Sequence, residues 1–266
     1  MSRGFVDVLR SRSIVAGTTL VTLAAASLAA PAAAQQDAQM PAMVRVLVFQ
    51  TELGNPMAYE TGIKDLYKGF EQAGVDFPIF GSVSMTTPGE YTFVMPMQSF
   101  ADLDHQNQLI GKAMMGPSAA AMTKLNGMTV SSTEEIWMAR PDLGYTPATP
   151  RLSMEEGMLT HLALLRPTPE HALALGDVIK KAVAAYQKHG IPDGFEVFEL
   201  ALGADGPAYA ILTRAKDMAD YYAQNAKNQQ KMGADWQAIL AQTGPMMRSV
   251  SFAADMSRPD LSFQWR

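Results

Sequence analysis

Two spacings of apolar side chains, one typical of strands and one typical of helices, follow each other in the same order twice along the chain. Residues 44–49 are apolar on both faces, which predicts a strand that is covered on both sides. A helix is predicted from Asn55 and Pro56, a cap and a first-turn proline, to Gly74. Its buried face consists of apolar residues at helical spacing, namely Tyr59, Ile63, Leu66, Tyr67 and Phe70.

The first half of the chain continues as a hairpin, a second helix and a last strand. Proline cannot continue the hydrogen-bond ladder of a helix, so the second helix is expected to break at Gly116 and Pro117. The predicted elements are a strand over 77–85, a turn at 86–89, a strand over 91–95, a helix from 99 to about 125 and a strand over 128–137.

The second half repeats this order with matching residues. The pair Ile-Lys at 63–64 recurs at 179–180, 116 residues later, and Arg-Pro-Asp-Leu at 140–143 recurs at 258–261, 118 residues later. Periods this long are typical of duplicated domains. The two Arg-Pro-Asp-Leu segments are interpreted as terminators that follow the last strand of each copy. The elements of the second copy are a strand over 159–165, a helix over 168–190, strands over 195–202 and 208–213, a helix from 217 and a strand over 246–253.

The order strand, helix, strand, strand, helix, strand is that of the ferredoxin-like unit, whose sheet carries both helices on one face. The other face of each sheet needs a partner, and the second copy supplies it. The predicted fold class is α+β, with two tandem ferredoxin-like β-α-β-β-α-β modules packed sheet to sheet as an intrachain α+β barrel. The predicted segments are a signal peptide over 1–34, a disordered lead-in over 35–42, a first module over 43–143, a linker over 144–157 and a second module over 158–266.

The first residues have the three parts of a secretory signal peptide. Arg3, Arg10 and Arg12 precede an apolar stretch over 14–30, and Ala34 ends an A-x-A cleavage site. The stretch is short and rich in Ala, Thr and Ser, which favours cleavage over an uncleaved membrane anchor. We expect the mature protein to be secreted across the inner membrane into the periplasm, without membrane attachment after cleavage.

Composition excludes several classes of function. The chain has no cysteine, which excludes disulfides and thiolate metal sites. Its formal net charge is -5, and removal of the leader, which contributes +2 through three Arg and one Asp, leaves -7. An acidic protein without a basic stripe is a poor candidate for nucleic-acid binding. The sequence also lacks phosphate loops, G-x-S-x-G elbows, H-E-x-x-H helices and paired-histidine metal spacing, so nothing in it supports a hydrolase or a nucleotide-binding protein. No metal site and no cofactor are predicted.

The duplicated order of elements, which covers nearly all of the chain after the leader, resembles the dimeric α+β barrel superfamily. That group contains antibiotic-biosynthesis-type monooxygenases, NIPSNAP-like proteins, chlorite dismutases and dye-decolourising peroxidases. The resemblance implies two sheets that pack face to face around a central cavity. It also implies that a haem-binding member would ligate iron through a histidine of the C-terminal module. Residues 215–243 contain no histidine, which argues against haem.

Arg45 and His161 occupy equivalent places on the first strand of each copy, 116 residues apart. If that strand face lines the cavity, they are two polar groups in apolar surroundings that can orient an anionic or carbonyl-bearing ligand. The alternative is that both point to solvent, because a buried arginine needs a partner. Phe49, Tyr91 and Tyr209 complete the predicted set of ligand-binding residues.

Asp102 and His105 are a second catalytic candidate. Residues three apart share one face of a helix, and a carboxylate beside an imidazole can form a general base. The sequence favours the alternative of a helix cap at Ser99 with Asp102 at its third position. Glu134 and Glu135 are interpreted as solvated charge.

Methionines occur in pairs at 95 and 97, at 114 and 115, and at 246 and 247. Thioethers can bind copper(I), which is a soft metal. Packing in the core is the favoured interpretation, because methionine fills irregular gaps well.

The leading functional hypothesis is a periplasmic monomer with an internal pseudo-dimer that binds a small, largely apolar ligand between its two sheets. The alternative is a cofactor-independent monooxygenase-like or isomerase-like enzyme that uses Arg45, His161 or the pair of Asp102 and His105. A third hypothesis is a structural or interaction module without a ligand. Further oligomerisation is compatible with all three.

Overall fold

The computed structural model of the protein describes residues 41–153 and 155–263. Within that part, the first half of the chain forms four strands and three helices. They are β1 (Met43–Thr51), α1 (Pro56–Ala73), β2 (Phe80–Ser84), β3 (Glu90–Met97), α2 (Phe100–Met114), α3 (Ala119–Asn126) and β4 (Thr129–Ala139). The predicted break in the second helix is confirmed, since Gly116 and Pro117 lie between α2 and α3.

The second half repeats this arrangement. Its elements are β5 (Leu159–Pro167), α4 (Ala172–Lys188), β6 (Glu196–Leu202), β7 (Tyr209–Ala215), α5 (Met218–Met232), α6 (Ala234–Thr243) and β8 (Met247–Ser257). The helix predicted from residue 217 is also broken, at Gly233. This glycine has a φ of 52°, a value that side-chain-bearing residues rarely adopt, so it ends α5 before α6 begins.

All eight described strands join in one closed antiparallel barrel, in the order β1-β3-β2-β8-β5-β7-β6-β4. Each half contributes four neighbouring strands, so the barrel consists of two sheets that are joined at two seams. At one seam β2 pairs with β8, and at the other β4 pairs with β6. The predicted α+β fold class, an intrachain barrel of two ferredoxin-like halves, is confirmed.

No helix among the described residues is both long enough and apolar enough to cross a bilayer. The predicted signal peptide over 1–34 lies outside the described residues, as does the predicted lead-in up to residue 40.

Each strand contributes side chains to two cores, because successive side chains point to opposite faces of a sheet. On β1, Val44, Val46 and Val48 point into the barrel and pack with side chains of the other half, such as Leu162 and Phe198. The alternate residues of β1 point outward to the helices of their own half. The sheets therefore have an inner core that both halves share, and each sheet has an outer core beneath its own helices.

Two short segments, 140–145 and 258–263, cross from one half to the other, and we call them the exchange arms. Leu143 follows β4 of the first half but is fully buried in the outer core of the second half. Leu261 follows β8 of the second half and is fully buried in the outer core of the first. Phe263 belongs to the same core as Leu261. Each half therefore completes the core of the other.

An arginine at the start of each exchange arm ties the two halves together. Arg258 donates to both carboxylate oxygens of Glu60 on α1, through Nη1 at 3.0 Å and Nη2 at 2.7 Å. Arg140 donates through Nη1 to Glu199 on β6. Such charge-assisted contacts are stronger than hydrogen bonds between neutral groups. The segments interpreted as terminators are thus also clamps between the halves.

The clamp between Arg258 and Glu60 is tested by replacing Arg258 with methionine, which removes both hydrogen bonds to the Glu60 carboxylate. We expect the free energy of unfolding to fall by about 1–3 kcal/mol, measured by urea unfolding with circular dichroism. Lys68→Met is the matched control, because it breaks the exposed pair of Lys68 with Asp65 inside α1. That change should cost less than about 0.5 kcal/mol. Equal losses in the two variants would contradict a clamp at Arg258.

Candidate functional site

A cavity of about 490 Å³ lies in the first half, between the outer face of its sheet and the helices α1, α2 and α3. Its size is typical of a site for a small molecule. The wall includes the aromatic rings of Phe49, Tyr59, Tyr67, Phe70 and Phe93. The other apolar side chains of the wall are Leu47, Ile63, Leu66, Ile79, Met95, Ile110, Met114, Met122 and Leu125. Its polar residues are Arg45, Asn107, Asn126, Thr129, Ser132, Thr133 and Glu134.

The other half of the protein supports this wall. Phe263 of the second exchange arm packs against Tyr67 and Phe70, with ring centroids 5.5 and 6.0 Å apart. Both of these rings line the cavity. The shape of the cavity therefore depends on the arm that the second half contributes.

Arg45 places a buried guanidinium in the wall of the cavity. The residue is 7% exposed, and its Nε lies 2.8 Å from Oε1 of Glu134, whose side chain is 47% exposed. This contact is an ion pair without hydrogen-bond geometry, and Nη1 of Arg45 has no hydrogen-bond partner in the part of the chain that the structure describes. A buried donor left without a partner costs roughly 1–3 kcal/mol. Arg45 therefore brings a positive charge and an unsatisfied donor to the cavity wall.

Two tyrosine hydroxyls add hydrogen-bonding capacity to the wall. Burial raises the pKa of Tyr59 to about 12, although a hydrogen bond with Thr129 opposes the shift. Burial also raises the pKa of Tyr67, and the neighbouring Tyr59 adds to that effect. Both phenols therefore remain protonated at neutral pH, and their O–H groups are potential donors rather than bases.

Side chains from both halves pack in the space between the two sheets, where the sequence predicted the ligand. Val46, Leu162 and Phe198 belong to a buried cluster to which both halves contribute. A ligand site between the sheets therefore stays a prediction, and the cavity described above lies elsewhere. Arg45 and Phe49 do line a cavity, but it lies on the opposite face of β1, toward the helices. The alternation along β1 could not distinguish the two faces, because both are apolar.

His161 lies in the second half, so that it and Arg45 do not form one site. The alternative from the sequence, that both residues point to solvent, is wrong, because Arg45 is 7% exposed and His161 is 6% exposed. Its ring stacks on Tyr221 with centroids 3.8 Å apart, and the ring of Phe252 lies 5.8 Å away. Burial lowers the pKa of His161 to about 4. A neutral imidazole stacked between aromatic rings acts as part of the packing.

Asp102 and His105 do not pair with each other. Oδ2 of Asp102 accepts a hydrogen bond from the backbone N of Ser99 at 3.0 Å and completes a capping box at the start of α2. Nε2 of His105 lies 2.8 Å from Oδ1 of Asp76, and both side chains are about half exposed. The structure shows the cap that the sequence favoured, and it does not bring a general-base pair together here.

Tyr91 and Tyr209 stand beside the clamps of the exchange arms. The hydroxyl of Tyr91 donates to Oε1 of Glu60 at 3.3 Å, and the hydroxyl of Tyr209 donates to Oε1 of Glu199 at 3.3 Å. Neither tyrosine lines the cavity of the first half. Their equivalent positions in the two copies reflect a shared role in joining the halves.

Glu135 is a buried group that the sequence interpretation missed. It was interpreted as solvated charge, but it points into the barrel and is 5% exposed. Nε1 of Trp137 donates to its Oε2 at 2.9 Å. Burial raises the pKa of Glu135 to about 7, opposed by this hydrogen bond and by Arg166. Its neighbour Glu134 points outward to the cavity, because successive residues of β4 alternate between the two faces.

Two of the three methionine pairs are divided between different surroundings. Met95 and Met114 line the cavity, whereas Met97 belongs to a different buried cluster and Met115 is exposed. Among residues 41–153 and 155–263, no group of three or more His, Asp or Glu is placed to hold a metal ion.

No family model and no curated protein sequence matches this chain. Solved structures match it over most of its length. An anthrone oxidase-like protein matches with a TM-score of 0.58 and 11% identity, over 81% of this chain and 91% of that chain. A chlorite dismutase variant from Candidatus Nitrospira defluvii matches with a TM-score of 0.54 and 9% identity, over 84% and 93%. A candidate monooxygenase from Fusobacterium nucleatum matches with a TM-score of 0.53 and 10% identity, over 81% and 91%.

This chain has the dimeric α+β barrel fold. Identities this low show the fold alone, and activity must be argued from the residues of the site. In this α+β barrel the two sheets come from one chain, and their halves have diverged in the space beneath their helices.

A haem, which the resemblance would place in the second half, does not fit the residues there. Leu175, Ile179, Met232 and Ile239 pack into the space between the sheet and its helices. Residues 215–243 also contain no histidine that could ligate iron. We therefore assign no chemical step to haem in this α+β barrel.

The buried state of His161 predicts a loss of stability in acid. The unfolded chain takes up a proton near pH 6.5, whereas the folded protein does so only near pH 4. The loss therefore develops as the pH falls from 6.5 to 4. We expect His161→Phe to remove up to about 2 kcal/mol of the difference in unfolding free energy between pH 7 and pH 4.5.

Urea unfolding at the two pH values measures this difference. The exposed His105 provides the control, because His105→Phe should leave most of the acid-induced loss in place. If the unfolding free energy falls between pH 7 and pH 4.5 by the same amount in the wild type and in His161→Phe, position 161 does not hold a neutral, buried imidazole.

Proposed function

We propose that this protein binds a small, flat, largely aromatic molecule with an anionic or carbonyl oxygen in the cavity of its first half. The observation that carries the proposal is the buried guanidinium of Arg45, which lines an apolar cavity of about 490 Å³ and whose Nη1 has no hydrogen-bond partner among the described residues. Aromatic walls favour flat rings. A guanidinium supplies a directed, charge-assisted hydrogen bond to an oxygen of the ligand.

Comparison of the two halves supports a single site of this kind. Four of the five aromatic rings in the cavity wall have aliphatic counterparts 116 or 118 residues later. These are Leu165, Leu175, Val183 and Ile211, and all of them pack in the outer core of the second half. The aromatic lining and the buried arginine thus occur together in the first half.

Binding is tested with 1-anilinonaphthalene-8-sulfonate, an aromatic anion with a flat naphthalene ring that fluoresces in apolar surroundings. We expect Arg45→Met to weaken its affinity at least about tenfold, because a hydrogen bond to a charged group contributes roughly 1.5–3 kcal/mol. His161→Met at the equivalent position of the second half is the matched control and should bind as the wild type does. Equal affinities in the wild type and Arg45→Met, with both folded by circular dichroism, would refute the role of Arg45.

A second candidate function is oxygenation of such a ligand without a cofactor. Its support is the likeness in fold to an anthrone oxidase-like protein and to a candidate monooxygenase. Two side chains of the cavity also support oxygenation. Arg45 can stabilise the enolate form of an aromatic ketone, and the carboxylate of Glu134, 2.8 Å from Arg45, can accept the proton that enolisation releases.

Anthrone is a suitable probe for this reaction. Its CH₂ group reacts with one O₂ to give anthraquinone and one H₂O, so that one oxygen atom forms the new carbonyl and the other leaves as water with both hydrogens. We expect the protein to accelerate this oxidation and Glu134→Gln to lower kcat at least about tenfold, while binding of the sulfonate probe persists. The rate is read from anthraquinone absorbance after subtraction of the protein-free reaction.

Two outcomes separate the candidate functions. If the protein accelerates anthrone oxidation and Glu134→Gln does not, the result supports oxygenation. A rate equal to that of the protein-free reaction refutes oxygenation of anthrone and leaves the binding proposal to the fluorescence measurement.

A further inference from the structure

Five buried polar residues of the barrel interior have apolar residues at the equivalent positions of the other copy. They are Ser82, Glu90, Thr92, Thr160 and Asp255, which we call the lumen oxygen cluster. Their counterparts at distances of 116 or 118 residues are Phe198, Ala208, Ala210, Val44 and Trp137. All five counterparts belong to the apolar cluster of the barrel interior.

Strand pairing brings the lumen oxygen cluster together near the seam of β2 and β8. Ser82 pairs with Thr92 on β3, and Asp255 pairs with Thr160 on β5. Across the seam, Oγ of Ser82 donates to Oδ2 of Asp255 at 3.2 Å. Glu90 is close enough for its charge to act on Asp255. Two carboxyl groups and several hydroxyls therefore share one enclosed space.

Two oxygen atoms of this cluster lack a hydrogen-bond partner within the described ranges, Oδ1 of Asp255 and Oγ1 of Thr92. Their residues are 1% and 0% exposed. Thr92 lies near enough to Asp255 to lower the pKa of that carboxyl, but the contact does not have hydrogen-bond geometry. Burial of such oxygens is unfavourable unless another group satisfies them.

We propose that the lumen oxygen cluster binds a hard divalent cation of the calcium type. Asp255 and Glu90 are the carboxylate ligands, and Thr92 and Ser82 contribute hydroxyl oxygens. A donor set made only of oxygen is what calcium and magnesium prefer, and calcium tolerates the less regular geometry. The positive charge of the cation would offset the cost of burying the Asp255 carboxylate, whose Oδ1 has no hydrogen-bond partner among the described residues.

The site is independent of the cavity in the first half. It lies on the inner face of the strands, whereas the cavity lies on the outer face. Its role is to tie β2 of the first half to β8 of the second, because its ligands come from both sides of the seam.

Calcium alone is the probe. After treatment with EDTA, thermal unfolding of the full chain is followed at pH 8 in increasing calcium chloride, with sodium chloride at equal ionic strength as the reference. We expect the midpoint to rise by about 3–5 °C once calcium stands about tenfold above its dissociation constant. Asp255→Asn should abolish the rise, and Thr92→Val should weaken the apparent affinity without removing a charge.

Glu135→Gln is the matched control, because it removes a different buried carboxylate of the barrel interior, and its calcium response should equal that of the wild type. A response that is lost in Asp255→Asn and kept in Glu135→Gln supports the site. The proposal is overturned if the wild type responds no more to calcium than to sodium, or if the response of Asp255→Asn is unchanged. Should Asp255→Asn fail to fold, an unchanged affinity in Thr92→Val overturns the proposal as well.

Discussion

Closure of the barrel at its two seams is the constraint on which the rest of this molecule depends. A four-stranded sheet has two open edges whose backbone groups need partners, and here the edges of one sheet pair with those of the other. The seam of β2 and β8 is short, with three pairs of residues. Leu143 and Leu261 reinforce the closure, because each is buried in the core of the opposite half. Neither half contains all the side chains of its own core.

Much of the fold could be predicted from the sequence because the signals that fix it are local and occur twice. The helix cap at Ser99 and the helix break at Gly116 and Pro117 each follow from the chemistry of neighbouring residues. The second helix break, at Gly233, was not predicted, because a single glycine inside a helical pattern does not by itself require an end. The repeat then limited the possible architectures to one in which two sheets cover each other.

The candidate site was less predictable, because it depends on which face of a strand meets the helices. Arg45 and Phe49 were predicted to face a ligand between the sheets, and they line a cavity on the opposite face of β1. Both faces of β1 carry apolar residues, so the sequence pattern does not show which face meets the helices. Glu135 was interpreted as solvated because its sequence neighbour is also a glutamate. Successive residues of β4 point to opposite faces of the sheet, and Glu135 is on the face that points into the barrel. The stacking of His161 on Tyr221 joins residues 60 positions apart, and no local pattern encodes it.

The covalent union of the two halves has a consequence for how such a protein can change. In a symmetric dimer of identical chains, every substitution appears in both subunits. A mutation that improves a binding site in one subunit therefore also alters the equivalent site in the other. Here Arg45 and His161 stand at equivalent positions and differ in charge, size and surroundings. One half can thus keep a cavity lined by aromatic rings while the equivalent positions of the other half carry aliphatic side chains. When both copies lie in one chain, a substitution in one copy is not repeated in the other, so each copy can change independently.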